Sequence, residues 1–226
     1  MHCSREIAFG HLVPGTIPSG RILLIFENGT WYHTTIQRVL TDTLGAADEV
    51  KVDFQPTYPV SGSADAVFRD EDGLVVVVEI KSMNPYAFAY ASGKRTRAAG
   101  PGPELAHVIQ AAIYAISPQL NATSVLIVYV DKSSAEMASW LLDLDLSYPT
   151  WLALGDRTLR EAASTELERL AGIGALITSD PAMLPKRYIP GTGTIEEPLF
   201  DRACRWCDYR ELCATLPTGR TAMPNA

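Results

Sequence analysis

No apolar run in these 226 residues approaches the length needed to span a bilayer. Met1-His2-Cys3-Ser4-Arg5 does not lead into a signal-peptide core, so no membrane partner and a cytoplasmic location are expected. Basic charge is also short, with 19 Lys and Arg against 26 Asp and Glu and a formal net charge of −7. Binding of nucleic acid by bulk charge is thereby excluded, and only a local cationic patch could serve. There is no internal repeat. There is no G-x4-G-K-[S/T] loop either, since Gly93-Lys94-Arg95 lacks both the hydroxyl and the preceding glycine, which excludes an ATP-driven motor. No Ser/His/Asp or Cys/His set for covalent catalysis stands out. Cysteine is scarce, with four in all.

What is present fits one well-buried core. Hydrophobic residues make up 47% and charged residues 20%, ordinary values for a globular domain. The patterning predicts a helix over 29–44, capped by Asn28 or Thr30, and a strand over 50–54. A further helix is predicted over 103–117 with Pro103 near its first turn. Strands follow over 124–130 and, alternating like an edge strand, over 140–146; a charged helix spans 150–171. The chain then turns irregular, and 216–226 reads as a disordered tail. The sum is a mixed α/β core.

The chemistry concentrates between Asp65 and Lys81. Leu74-Val75-Val76-Val77-Val78 is the pattern of a strand buried on both faces, and Glu79-Ile80-Lys81 follows directly. Period two puts Glu79 and Lys81 on one face, where burial is costly unless the charges are paired or bind a metal. Glu71-Asp72-Gly73 suits a three-residue hairpin loop with glycine at the left-handed position. Counting outward from it, Asp70 faces Leu74 and Asp65 faces Glu79. Opposed carboxylates repel unless a cation sits between them; the plainer alternative is a surface hairpin with a solvated Glu79–Lys81 pair.

Weaker features accompany this set. His33 lies on the first predicted helix and could complete a divalent site or be structural. His107, Gln110 and Tyr114 form a polar stripe on a helix whose core side carries Leu105, Val108, Ile109, Ala112, Ile113 and Ile116. The stripe could contact a phosphate or a base, or merely mark a half-buried tyrosine. Lys94, Arg95 and Arg97 are the best cationic patch, in a Gly/Pro/Ser-rich stretch that could equally be a solvated loop. Cys3 stands alone, while Cys204, Cys207 and Cys213 form C-x2-C-x5-C. Four such thiols point to zinc or an iron–sulfur cluster rather than disulfides, and spacing alone does not separate the two. Either cofactor would join the chain's two ends, so its binding would count toward folding.

In order, a helical His, G-x-x-D (Gly62 to Asp65), E-x-K (Glu79 to Lys81) and Q-x3-Y (Gln110 to Tyr114) resemble the PD-(D/E)XK nucleases of the RecB-like branch. One early cysteine plus C-x2-C-x5-C is similar to its iron–sulfur subgroup: CRISPR-associated RecB-like exonucleases, phage relatives and the AddB nuclease domain. Ala64 stands where the superfamily name shows proline. The resemblance implies a restriction-endonuclease-like core, a mixed central sheet flanked by helices, in one nuclease domain over 1–215. Segments 1–28 and 173–215 would form the cluster-binding region. It implies Asp65, Glu79 and Lys81 as catalytic residues, and His33, Asp65, Glu79 and the Ile80 carbonyl as ligands of Mg²⁺ or Mn²⁺. Cys3, Cys204, Cys207 and Cys213 would hold a [4Fe–4S] cluster, and Gln110 and Tyr114 would steady the DNA strand. The implied activity is a metal-dependent exonuclease on single-stranded DNA or DNA ends, 5′→3′. A helicase, CRISPR integrase or recombination protein would be its partner, in the host cytoplasm if the chain is phage-encoded. The alternatives are a CRISPR spacer-processing endonuclease and a non-catalytic iron–sulfur or zinc adaptor that binds DNA.

Overall fold

Short β-branched runs and longer apolar-periodic runs resolve into a mixed α/β structure, a five-stranded sheet flanked by helices. A computed structural model describes residues 19–95, 102–148 and 154–177, together with Ile7, Gly10, Leu12, Leu152 and Tyr209. The chain divides into two compact units, Pro18–Leu167 and the two ends Met1–Ile17 with Glu168–Ala226. Cys3, Cys204, Cys207, Cys213, Arg97 and the tail at 216–226 lie outside the described residues. Among the described residues no helix is long and apolar enough to cross a membrane.

Helix α1 spans Gly20–Leu44, strand β1 Ala47–Asp53, β2 Ser61–Arg69 and β3 Val75–Met83. Helices α2 (Pro85–Ala91) and α3 (Leu105–Ala115) follow, then β4 (Ser124–Asp131), β5 (Met137–Asp143) and α4 (Leu159–Ile177). The strands lie in sequence order, with β3 and β4 parallel and every other pair antiparallel. The predicted hairpin register holds: Ala66 pairs with Val78 and Arg69 with Val75, and the Asp70 N–H donates to the Leu74 carbonyl. Gly73 supplies the left-handed residue at φ 80°.

The valine run is the centre of the core. Val76, Val77, Val78, Glu79 and Ile80 are all buried. Val78 and Ile80 pack with Ala46, Ala66 and Val128, and α1 lays Ile36 and Leu40 against them. A fully buried Val, Ile or Leu stabilises by roughly 1.5–3 kcal/mol, which fixes the face each neighbouring side chain must take. Helix α3 packs on β2, β3 and β4 and buries Val108, Ile109, Ala112 and Ile113 as expected, while Leu105 and Ile116, at its two ends, are only half-buried.

Two helix starts and one whole helix differ from the sequence reading, and β1 and β5 each start three residues earlier than the predicted 50–54 and 140–146. Helix α1 starts at Gly20 and not near 29, because Asn28-Gly29-Thr30 continues the helix. There the Thr30 hydroxyl donates to the Phe26 carbonyl, and a Cβ on Gly29 would lie 3.3 Å from Ser82 Oγ. Helix α4 starts at Leu159 and not at 150, because Thr158 and Glu161 form a reciprocal capping box. Arg157 therefore falls in the preceding loop. Helix α2 was not anticipated, although Asn84 caps it from its side chain and Pro85 opens it.

Candidate metal centre

The centre forms where the sheet comes apart. The β2–β3 ladder ends at Ala66–Val78; beyond it β2 stays with β1, and β3 stays with β4 through Met83–Asp131. The backbone groups freed by this split need partners. Asp65 Oδ2 takes the Ile80 N–H at 2.7 Å, and Gln37 Nε2 donates to the Asp65 carbonyl at 2.7 Å. A strand residue presents its N–H and C=O to one side, so the Ile80 carbonyl also faces the split. The predicted Asp65–Glu79 pair would continue the observed register, but the ladder stops one pair short of it, and the parting of the strands gives each carboxylate a different neighbourhood.

Asp65 turns toward α1. His33 Nε2 lies 2.8 Å from Asp65 Oδ2. The hydrogen bond to Asp65 holds the His33 pKa above the usual imidazole value, against the lowering effect of burial. Gln37, one helical turn on, brings in a residue that the sequence reading missed: its Nε2 also donates to Glu49 Oε1 at 2.9 Å. Ser63 Oγ donates to the other Glu49 oxygen at 3.0 Å, and Glu49 Oε1 lies 4.0 Å from His33 Nδ1. His33, Glu49 and Asp65 each offer one ligand atom, all within 4.8 Å of one another, and could hold a metal ion. Glu49 sits on β1 between the Asp48–Ala66 and Val50–Ala64 pairs with φ 47°, a left-handed conformation that a glutamate rarely adopts. Periodicity cannot reveal such a residue, because its placement depends on that one backbone angle.

Glu79 is not part of that trio. It is completely buried, the Lys81 ammonium meets Oε1 as an ion pair, and no other donor among the described residues reaches either oxygen. Burial, and after it the Asp65 charge, pushes the Glu79 carboxyl up to about 7 against the pull of Lys81 and His33. A fully buried carboxylate held by one ammonium, with the lone pairs of its other oxygen unfilled, is expensive to keep. It fits a cation that would take those lone pairs.

Tyr114 reaches the same end of β2. A Cβ on Gly62 would lie 2.5 Å from Tyr114 Cε1, so the ring occupies the space that a side chain there would fill. Gln110 Nε2 donates to the Tyr114 hydroxyl at 3.3 Å, joining the two predicted stripe residues. The third, His107, is spent elsewhere: its Nδ1 lies 2.6 Å from the hydroxyl of buried Tyr129. In the cationic patch, Lys94 is paired with Glu136, while Arg95 stacks over the Tyr86 ring.

No protein-family model matches the chain, and no curated protein does. The fold is similar to that in the crystal structure of SSO0001, with 18% sequence identity over 96% of this chain and 83% of that one, at a TM-score of 0.51. At that identity the likeness is one of fold, a mixed α/β sheet with flanking helices.

Proposed function

We propose that this protein is a metal-dependent DNA exonuclease acting on single strands or ends, with a structural [4Fe–4S] cluster. One observation carries the reading: the fully buried Glu79 carboxylate, met among the described residues by the Lys81 ammonium alone and raised by the nearby Asp65 charge at the split in the sheet. A binding-only protein gains nothing from keeping such a group. His33, Asp65, Glu79 and the Ile80 carbonyl would hold Mg²⁺ or Mn²⁺, with Glu49 as a further ligand. When bound, the cation supplies Lewis-acid polarisation of a phosphoryl oxygen and a more acidic water. The reaction is hydrolysis: a water oxygen adds to phosphorus, the bond to the 3′-oxygen breaks, and that oxygen leaves with a proton.

Each side chain has its own task in this reading. Lys81, about a third exposed, can turn its ammonium from Glu79 toward a phosphate. The hydrogen bond from Ile80 holds Asp65, and Gln37 holds Glu49. Tyr114 and Gln110 steady the strand at the mouth of the split. The cluster rests on the four cysteines and their C-x2-C-x5-C spacing.

The test is an anaerobic cleavage assay on 5′- and 3′-end-labelled single-stranded and duplex DNA, comparing Mn²⁺, Mg²⁺ and EDTA. Cleavage should need the metal, and Lys81→Ala or Glu79→Ala should lower it by about 10²–10³-fold or more. The visible absorption of the cluster should survive either substitution. Wild-type cleavage by Lys81→Ala would show that the site is misassigned.

A further inference from the structure

Strand β3 hands the chain directly to α2, and the sides of this short helix differ. Phe88 and Ala91 are buried and hold it down. Tyr86 and Tyr90, four residues apart, share another face. Their rings meet edge to face with centroids 5.0 Å apart and hydroxyls 3.2 Å apart. The Arg95 guanidinium lies 5.1 Å from the centroid of the Tyr86 ring.

Helix stability does not account for this group. A side-chain pair at this spacing contributes only about 0.2–0.5 kcal/mol, and Tyr86 remains 62% exposed. Arg95 has no carboxylate partner among the described residues, whereas Lys94 is paired with Glu136 and Arg160 with Asp145. On a chain of net charge −7, an exposed arginine over an exposed tyrosine, itself paired with half-buried Tyr90, is a local exception. It also lies near the site along the chain, because the five-residue step from Lys81 to Tyr86 spans at most about 18 Å.

We propose that Tyr86, Tyr90 and Arg95 form a stacking platform for the bases of single-stranded DNA, receiving the strand that passes Glu79 and Lys81. This rests on the nuclease reading and adds to it how the strand is held. Stacking on an aromatic face contributes about 1–3 kcal/mol per base and is indifferent to sequence, and an arginine adds cation–π attraction and phosphate charge. A duplex keeps its bases stacked inward, so the platform selects single strands.

Fluorescence anisotropy of a labelled oligothymidylate on the full chain in EDTA tests this without cleavage. Tyr86→Ala and Tyr90→Ala should each weaken binding by about 5–150-fold, the stacking energy converted to affinity. Tyr86→Trp should restore binding, and circular dichroism should show every variant folded. Unchanged binding by Tyr86→Ala and Arg95→Ala, or a Tyr86→Trp variant as weak as the alanine, would overturn the platform. Duplex DNA bound as tightly as the oligothymidylate by wild type would overturn it too. Mn²⁺-dependent hydrolysis of a p-nitrophenyl ester of thymidine 5′-phosphate by wild type, a substrate with no run of bases to lay on the platform, keeps the two readings apart. Hydrolysis with unaltered oligonucleotide binding in the variants sinks the platform alone; no hydrolysis sinks the nuclease.

Discussion

Gly62 illustrates how one missing side chain shapes the site. Its φ is ordinary, so no unusual backbone angle demands glycine. Space demands it, because the Tyr114 ring lies where a Cβ would stand. Gly62→Ala should therefore push the ring away and cost about 1–3 kcal/mol, the usual range for overpacking. The same change in a Tyr114→Ala background should cost almost nothing, since the obstacle is gone. Urea unfolding of the two single variants and the double variant completes the cycle. Equal costs in both backgrounds would mean that the ring is not what glycine accommodates. Glu49 is the opposite case, a side chain whose position depends on an angle that favours glycine. Its two hydrogen-bond partners, Gln37 and Ser63, hold the carboxylate toward His33 and offset part of that strain.

At the scale of elements, capping decides where helices begin. Thr158 Oγ1 accepts from the Glu161 N–H, and Glu161 Oε2 accepts from the Thr158 N–H. Thr158→Ala should cost about 1 kcal/mol of stability and Thr158→Ser little, read by urea unfolding; equal values for both would show that the box does not hold the helix start. The T-x-x-E signature was legible in the sequence, as was the Asn84-Pro85 start of α2, yet the apolar pattern alone extended one helix and overlooked the other. Most of the sheet was readable for a plain reason. A buried β-branched run and a Gly-containing loop specify a hairpin register locally, and that register runs to Ala66–Val78, one pair short of Asp65 and Glu79. Glu49 was not readable, because its role arises from the break between β2 and β3 and from Gln37 on a distant helix. The Tyr86–Arg95 contact likewise depends on how the chain turns after α2.

For the whole molecule, the site couples stability to pH and to metal. Glu79 titrates near 7 when folded against a reference of 4.5, so the folded chain binds a proton that the unfolded chain has released. The sign follows: this contribution is fully present below about 4.5 and is lost as pH rises through about 7. His33, also raised, loses its contribution in the same direction as pH passes its folded value. The Glu79 effect is on the order of 3 kcal/mol, one pKa unit being worth about 1.4. A cation requires both groups deprotonated, so its affinity rises as that stability falls. It returns about 2.7 kcal/mol once present at about 100 times its dissociation constant. In EDTA the urea midpoint should fall between about pH 5.5 and 8, and Mn²⁺ should raise it more at the upper end of that window than at the lower. Glu79→Gln should flatten the metal-free slope and remove most of the rescue. An unchanged slope in that variant would place the titrating group elsewhere, and rescue independent of pH would mean that Mn²⁺ binds away from His33, Asp65 and Glu79.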